Sequence, residues 1–340
     1  MLFLFIPIGI LVDISQKIDN FKEHEVPTNQ ILWYYFDFIW FFGNMLFPIF
    51  LFLSVIWFTS KMANDTEIIA ILSSGISFYR YLRPFMIAAS IIALGALIVG
   101  MFIVPVTNKS FHEFQFEYLK KGKNDRQTAN LFKQLNENDY VYVSSYNPNR
   151  GLAYNFTYEH FEGNKLQYKI AARNIRWLEK DSLYRLTEYF KRTIIEDKEY
   201  IESKSRLDTL FSFEIKELSP VTYMSQTLNY FELNDFIESE RASGSPLINN
   251  HLMVRNKRWS LPFSAFILTI ISVAVASFKR RGGMGINLAL GIILAFTFVF
   301  FDKVFEVMVD KSGMSPYWGA WMPNLIFGAI AIGLLRYAKR

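Results

Sequence analysis

The sequence predicts an α-helical polytopic membrane protein with six transmembrane helices, arranged three plus three, and an all-β, jellyroll-like domain inserted between the third and fourth helices. Three observations lead to this class. Hydrophobic residues make up 51% of the chain and cluster in long blocks. A polar stretch with alternating apolar residues separates these blocks into two groups. Lys and Arg residues flank the blocks in short loops. The predicted parts are 1–106, 107–251 and 252–340.

Apolar runs mark the spans of the first part. Met1–Val12 is shorter than the roughly 20 residues that cross a bilayer. It also lacks the basic flank and the cleavage site of a signal peptide, so we expect the first span to begin upstream of Met1. The second and third spans are predicted at 38–58 and 85–106.

A short amphipathic segment, residues 61–83, joins the second and third spans and is called the elbow below. Asn64 and Glu67 have the spacing of a helix-capping pair. Gly75 lies where a helix end favours positive φ, and Ser77 is placed to cap a second helical piece. One apolar stripe at helical spacing is predicted for Ile68, Ile69, Ile71 and Leu72.

The middle of the chain alternates apolar and polar residues, which is typical of antiparallel β-strands. A sandwich, a jelly roll and an open barrel all fit several short strands. A helix over 228–242 is predicted to return the chain to the membrane. The predicted strands are 139–145, 152–161, 165–175, 182–194 and 209–217.

Three further spans are predicted at 259–278, 286–309 and 318–337. With six spans, the basic loops fall on one side of the membrane, which the positive-inside rule makes cytoplasmic. The β-domain is then on the opposite, periplasmic side. The basic residues used are Lys61, Arg80 and Arg83 in the elbow, Lys279, Arg280 and Arg281 after the fourth span, and Arg336, Lys339 and Arg340 at the end.

Composition argues against several functions. The net charge of +5 comes from scattered or span-flanking Lys and Arg, which is not the pattern of a nucleic-acid-binding protein. The absence of Cys excludes a disulfide framework and a thiolate metal site. No Gly-rich phosphate-binding loop is present, so the chain does not hydrolyse ATP itself. We expect no cofactor and no metal. The histidines share no metal-ligand spacing and are expected at the surface: His24, His112, His160 and His251.

The elbow resembles the coupling-helix signature of the LptF/LptG (YjgP/YjgQ) permeases, the membrane part of the lipopolysaccharide export ABC transporter. The similar residues are Ser60-Lys61-Met62, Glu67-Ile68, Ala70-Ile71, Ser74-Gly75-Ile76-Ser77 and Leu82-Arg83-Pro84. Other similar positions are Phe231–Ile237 with Gly244, Arg258 with Pro262, and Trp321–Phe327. The resemblance covers essentially the whole chain. This sequence departs from the family at its start. The family's first span follows a basic cytosolic stretch, which is absent here.

This resemblance implies a non-enzymatic permease of the bacterial inner membrane that extracts lipopolysaccharide and serves outer-membrane biogenesis. It implies a second LptF/LptG-type subunit and a cytosolic LptB-like ATPase dimer that uses the ATP. It also implies an LptC-like bitopic protein and periplasmic jellyroll proteins that form a bridge. Which of the two permeases this chain corresponds to is left open.

The elbow is the predicted ATPase-coupling site. The side chains assigned to it are Glu67, Ile68, Ile71, Leu72 and Gly75. Glu67 is suited to charge-assisted hydrogen bonds with the ATPase, and the apolar side chains to a buried contact. The alternative is a connector without a partner, in which Glu67 only completes a helix cap.

Lys17, Lys22 and Lys303 are predicted lipopolysaccharide contacts, because ammonium groups at headgroup height attract phosphates. Ordinary interfacial lysines are the alternative for the first two. For Lys303 the alternative is an internal ion pair involving the nearby Asp302 and Glu306. Two other functions remain open at this point, namely a membrane-embedded enzyme acting on a lipid or envelope substrate and a structural anchor for a periplasmic partner.

Overall fold

A computed structural model describes residues 2–119, 129–147, 150–178, 183–195, 198–211, 213–214, 218, 223–277 and 283–338. The chain forms two compact units. The helical unit comprises Met1–Leu119, Gln226–Phe231 and Asn249–Arg340, and the β-unit comprises Lys120–Ser225 and Glu232–Ile248.

Long apolar helices build the helical unit. They are α1 (Leu2–Glu23), α2 (Thr28–Asn64), α4 (Phe78–Ile98), α5 (Val104–Phe114), α8 (Ile248–Ala276), α9 (Gly283–Ser312) and α10 (Pro316–Ala338). A π-helical turn, Val99–Ile103, joins α4 to α5, and a second one, Gln115–Leu119, follows α5. The short helices are α3 (Glu67–Ser73), α6 (Met224–Thr227) and α7 (Tyr230–Ala242).

Five helices among the described residues are long and apolar enough to cross a membrane, and they correspond to the predicted second to sixth spans. The predicted first span corresponds to α1, which is 22 residues long. Its second half carries Asp13, Lys17 and Asp19, so only its first half is apolar. The basic residues at 279–281, 339 and 340 lie outside the described part of the chain.

Helix α8 lies at the centre of the helical unit. One apolar cluster joins Leu268 and Ile271 of α8 to Phe52 of α2, Phe298 of α9 and Phe327 of α10. Two buried hydrogen bonds add to this packing. The Ser272 hydroxyl lies 3.3 Å from the Phe52 carbonyl oxygen, and the Asn324 amide donates to the Ser260 carbonyl at 2.7 Å. Because its neighbours surround it, α8 is the most buried of the candidate spans.

The same burial corrects one prediction from the sequence. His251 was expected at the surface, but its side chain is fully buried in the first turn of α8. Nearby, Arg258 donates from Nη2 to the Leu228 carbonyl at 2.6 Å. This contact holds the segment before α7 against α8.

The β-unit contains one six-stranded antiparallel sheet whose strands follow each other in chain order. The strands are β1 (Ala129–Gln134), β2 (Asp139–Asn147), β3 (Leu152–Glu162), β4 (Lys165–Leu178), β5 (Leu183–Ile195) and β6 (Lys198–Thr209). The all-β prediction is confirmed. Each described strand pairs with the next one along the chain after a short connection. The described sheet therefore has none of the crossovers of a Greek key.

Two strands differ from the prediction. A strand was expected at 209–217, but β6 ends at Thr209 and the residues described beyond it are not in a strand. β6 is exposed along most of its length because it forms one edge of the sheet, so it lacks the apolar alternation that marks a half-buried strand. β1, the opposite edge, has a single buried position, Leu131, and was missed for the same reason.

The sheet buries an aromatic and aliphatic core that includes Val143, Phe156, Ile175, Leu186 and Phe213. At one end of β2 and β3, His160 Nδ1 lies 2.6 Å from Asp139 Oδ1. Burial alone would raise the pKa of Asp139, but hydrogen bonds with His160, Asn136 and Tyr158 outweigh it and hold that pKa below the ordinary value.

Gly319 is expected to be required for close packing of α10. A Cβ at this position would collide with Val309 Cγ2 of α9 and would lie 3.5 Å from both Met253 Sδ and the Phe305 carbonyl. We expect Gly319→Val to destabilise the chain by about 1–3 kcal/mol through overpacking. Thermal unfolding of the detergent-solubilised protein measures this. Gly333→Val is the matched control, because a Cβ there meets nothing within 4 Å. Equal melting of the two variants would contradict this packing role.

Candidate functional site

The elbow begins differently from the prediction. The Asn64–Glu67 capping pair is wrong, because Asn64 is the last residue of α2 and α3 starts without a side-chain cap. Buried residues, including Ala63, hold the last turns of α2 and carry it through the predicted cap. Thr66 then reverses the chain in the left-handed region at φ 63°, with its hydroxyl donating to the Asp65 carbonyl at 2.7 Å.

The end of the elbow follows the prediction. Gly75 has a φ of 85°, a conformation that glycine adopts at low cost after a helix. Its N–H donates to the Leu72 carbonyl at 3.1 Å. Ser77 caps α4, since its hydroxyl accepts from the Arg80 N–H at 3.4 Å. Gly75 therefore shapes the turn between α3 and α4.

The apolar residues of α3 have two orientations. Ile68 is 1% exposed and shares an apolar cluster with Ala63, Leu82 and Val273 of α8. Ile71 and Leu72 pack against the same cluster and are partly buried. These predicted contact residues thus anchor the elbow to the rest of the helical unit.

The outer face of α3 is formed by other side chains, namely Glu67, Ile69, Ala70 and Ser73. Ile69 is 50% exposed. The sequence pattern predicts Ile69 in the same stripe as Ile68, Ile71 and Leu72, and Ile69 is not among the predicted site residues. Successive helical residues differ by 100°, so a helical projection separates Ile69 from the face shared by Ile68, Ile71 and Leu72. An exposed isoleucine at one edge and a carboxylate at the other make this outer face suitable for a protein contact.

Lys17 lies in a polar network between α1 and α2. Its ammonium is 2.6 Å from Asp13 Oδ1, 2.6 Å from the Tyr34 hydroxyl and 5.2 Å from the centre of the Tyr34 ring. The Tyr35 hydroxyl also donates to Asp13, at 3.2 Å. The charge of Lys17 is therefore balanced by Asp13, and its contacts link α1 to α2.

Lys22 is placed differently, one turn further along α1. Its side chain is exposed, and within the described residues it has no ion pair. It borders a cavity of about 510 Å³ whose other lining residues are the acidic Glu25 and the apolar Ile14, Ile18, Phe21, Val26 and Ile31. An ammonium group beside an apolar surface is the arrangement that a lipid with a phosphate headgroup would require.

A second cavity, of about 320 Å³, lies among α1, α2 and α9. Its lining is apolar throughout and includes Phe5, Phe38, Phe42, Phe50, Ile292 and Phe296. Such a lining offers no partner to a polar group and favours hydrocarbon. This space is called the apolar cavity below.

Charged side chains connect α8 to α9. Lys257 lies 2.8 Å from Asp302 and 2.6 Å from Glu306, and Lys303 lies 2.9 Å from Glu306. The side chain of Lys303 is 57% exposed, whereas that of Lys257 is 24% exposed. The sequence predicts an internal ion pair here as one alternative, but it does not point to Lys257, which lies two residues before the predicted fourth span. The carboxylates of Asp302 and Glu306 inside the predicted fifth span were the available signal of a basic partner.

The two isoleucines of the elbow are expected to have different effects on stability. Ile68→Ala leaves a cavity in a buried cluster, so we expect it to lower the free energy of unfolding by about 2–5 kcal/mol. Ile69→Ala removes an exposed side chain and should change it by less than about 0.5 kcal/mol. Thermal unfolding of the purified chain without any partner compares the two. Similar losses for both would show that α3 is not anchored through Ile68.

Comparison with known proteins identifies the family. The sequence model described as lipopolysaccharide export system permease LptF/LptG matches residues 1–337. No individual curated protein matches the chain. Permeases of this family are transport subunits without a catalytic role, and a separate ATPase uses the ATP. The chain belongs to the LptF/LptG family of lipopolysaccharide export permeases.

Proposed function

We propose that this permease works with a second LptF/LptG-type subunit and that a cytosolic LptB-like ATPase dimer binds at the elbow, residues 61–83. The observation that carries this proposal is the outer face of α3, where Ile69 is 50% exposed at one edge and the exposed Glu67 lies at the other. The inner face is buried through Ile68, so a force applied to α3 reaches the membrane helices. A connector without a partner would also bury one face of α3, so recovery of the ATPase distinguishes the two functions.

The proposed location is the bacterial inner membrane, with the elbow in the cytoplasm and the β-unit in the periplasm. Lys61, Arg80 and Arg83 flank α3, and Arg336 lies near the end of α10. The helix order puts Arg336 on the same side as the elbow, because four spans separate them. Basic residues on one side support the cytoplasmic assignment.

The apolar cavity is the proposed site for acyl chains of lipopolysaccharide. Its aromatic and aliphatic lining excludes polar groups, and α1 and α9 contribute to it. Of the three lysines considered for phosphate, Lys22 is the best placed, since its ammonium is exposed and bears no ion pair among the described residues. Lys303 is exposed but shares Glu306 with Lys257. Lys17 would contact phosphate only after releasing Asp13.

The β-unit is the proposed start of the route out of the membrane. The edge strand β6 leaves its outer backbone groups unpaired within the sheet of described strands. An edge of this kind can pair with a strand from another protein. We propose an LptC-like bitopic protein and periplasmic jellyroll bridge proteins as the partners on this side.

Ile69→Glu tests the elbow. A second carboxylate on the outer face of α3 should oppose docking while leaving the buried cluster intact. We expect recovery of the ATPase in mild-detergent pull-downs to fall at least about tenfold, the loss that corresponds to 1.4 kcal/mol. The melting temperature of the permease itself should not change.

Ile195→Glu is the matched control, because this residue of β5 is similarly exposed, at 55%, and lies in the other unit. It should retain the ATPase. Full recovery of the ATPase with Ile69→Glu would show that the outer face of α3 is not the docking surface.

A further inference from the structure

Helix α8 connects the elbow with the charged cluster at its other end. At the elbow, Val273 is fully buried in the cluster that contains Ile68 and Leu82. Toward the other end, Lys257 bonds to Asp302 and Glu306 of α9. The two positions are 16 residues apart, which is roughly 24 Å along a helix. A single helix thus reaches from the proposed docking site to the far part of α9.

The path along α8 is braced at intermediate points. Pro262 removes one backbone hydrogen bond from the helix, which is a common cause of bending. Next to it, the Asn324 amide of α10 donates to the Ser260 carbonyl at 2.7 Å. Further along, Ala265 packs in a cluster with Leu51 of α2 and Ala93 of α4. These contacts support α8 on both sides of the proline.

Lys257 is bonded in a way that joins two helices. Its ammonium lies between the carboxylates of Asp302 and Glu306, which are four residues apart and therefore on one face of α9. The other lysine of the cluster, Lys303, is on α9 itself and bonds only within that helix. Lys257 is therefore the lysine of this cluster that joins α8 to α9. Removing it would leave Asp302 without this lysine and Glu306 paired with Lys303.

The part of α9 that Lys257 holds is close to the apolar cavity. Asp302 is six residues from Phe296, about 9 Å along the helix axis. Phe296 and Ile292 form the α9 wall of that cavity. A displacement of α8 that is passed to Asp302 will therefore also displace this wall.

We infer that Lys257 is a positioning residue for transport, which links α8 to α9 so that movement at the elbow changes the shape of the apolar cavity. The inference rests on the proposed docking at the elbow. It adds a specific route from the elbow to α9, through the most buried helix. Lys257 need not touch the lipid; it acts through Asp302 and Glu306.

Lys257→Met tests this role because it keeps the length of the side chain and removes the charge. The permease is assembled with its partner subunit and ATPase in lipid nanodiscs, and lipopolysaccharide transported per ATP hydrolysed is measured. We expect this ratio to fall roughly twofold to thirtyfold while ATP hydrolysis continues. The matched control is Lys311→Met, which removes an exposed pair with its neighbour Asp310 and should keep the ratio.

A charge exchange separates positioning from simple packing. Lys257→Glu combined with Glu306→Lys restores an ion pair between α8 and α9 in the opposite direction. Recovery of the transport ratio by the double variant supports the inference. An unchanged ratio in Lys257→Met overturns it, and so does a loss that the double variant does not recover. Failure of elbow docking would appear instead as loss of the ATPase from the complex, which Lys257→Met should not cause.

Discussion

The burial of α8 is the constraint on which the helical unit depends. In its most apolar window 67% of the residues are buried, more than in any other candidate span among the described residues. Small side chains make this possible, because they let neighbouring helices approach closely. Ser264 and Ser272 satisfy their hydroxyls on carbonyls of α8 itself, at 2.6 and 2.7 Å, and so are compatible with an apolar environment. The other helices pack around this central helix.

This arrangement gives the two ends of α8 different tasks. One end contributes Val273 to the cluster that anchors α3. The other end holds α9 through Lys257, which is electrostatically balanced by two carboxylates. An ion pair partly shielded from water is a weak source of stability but is sensitive to loss of one partner. Such a pair is suited to defining the relative position of two helices.

The sequence predicted the elements whose signals are local. Blocks of apolar residues located five spans, and alternation located the strands of the sheet that have one buried face. Gly75 and Ser77 were predicted correctly because a helix end and an N-cap depend on only a few neighbouring residues.

The failed predictions involve contacts between distant residues. The proposed cap at Asn64 failed because packing extends α2 to this residue, which is its last. The burial of Ile68 depends on its contact with Val273, a residue far away in the chain that the pattern within α3 does not identify. Lys257 and Asp302 are 45 residues apart, so neither predicts the other. β6 lacks a buried face and therefore any strong periodic signal.

A single spin label on α9 tests most directly whether movement at the elbow reaches α9. The chain contains no cysteine, so Phe300→Cys provides one attachment site, at a position that is 64% exposed. A spin label at this site reports its surroundings in the assembled transporter, with and without trapped nucleotide. We predict that nucleotide trapping changes the mobility of the label, because movement at the elbow reaches α9 through α8. Identical spectra in both states, in a complex that transports lipopolysaccharide, would contradict it.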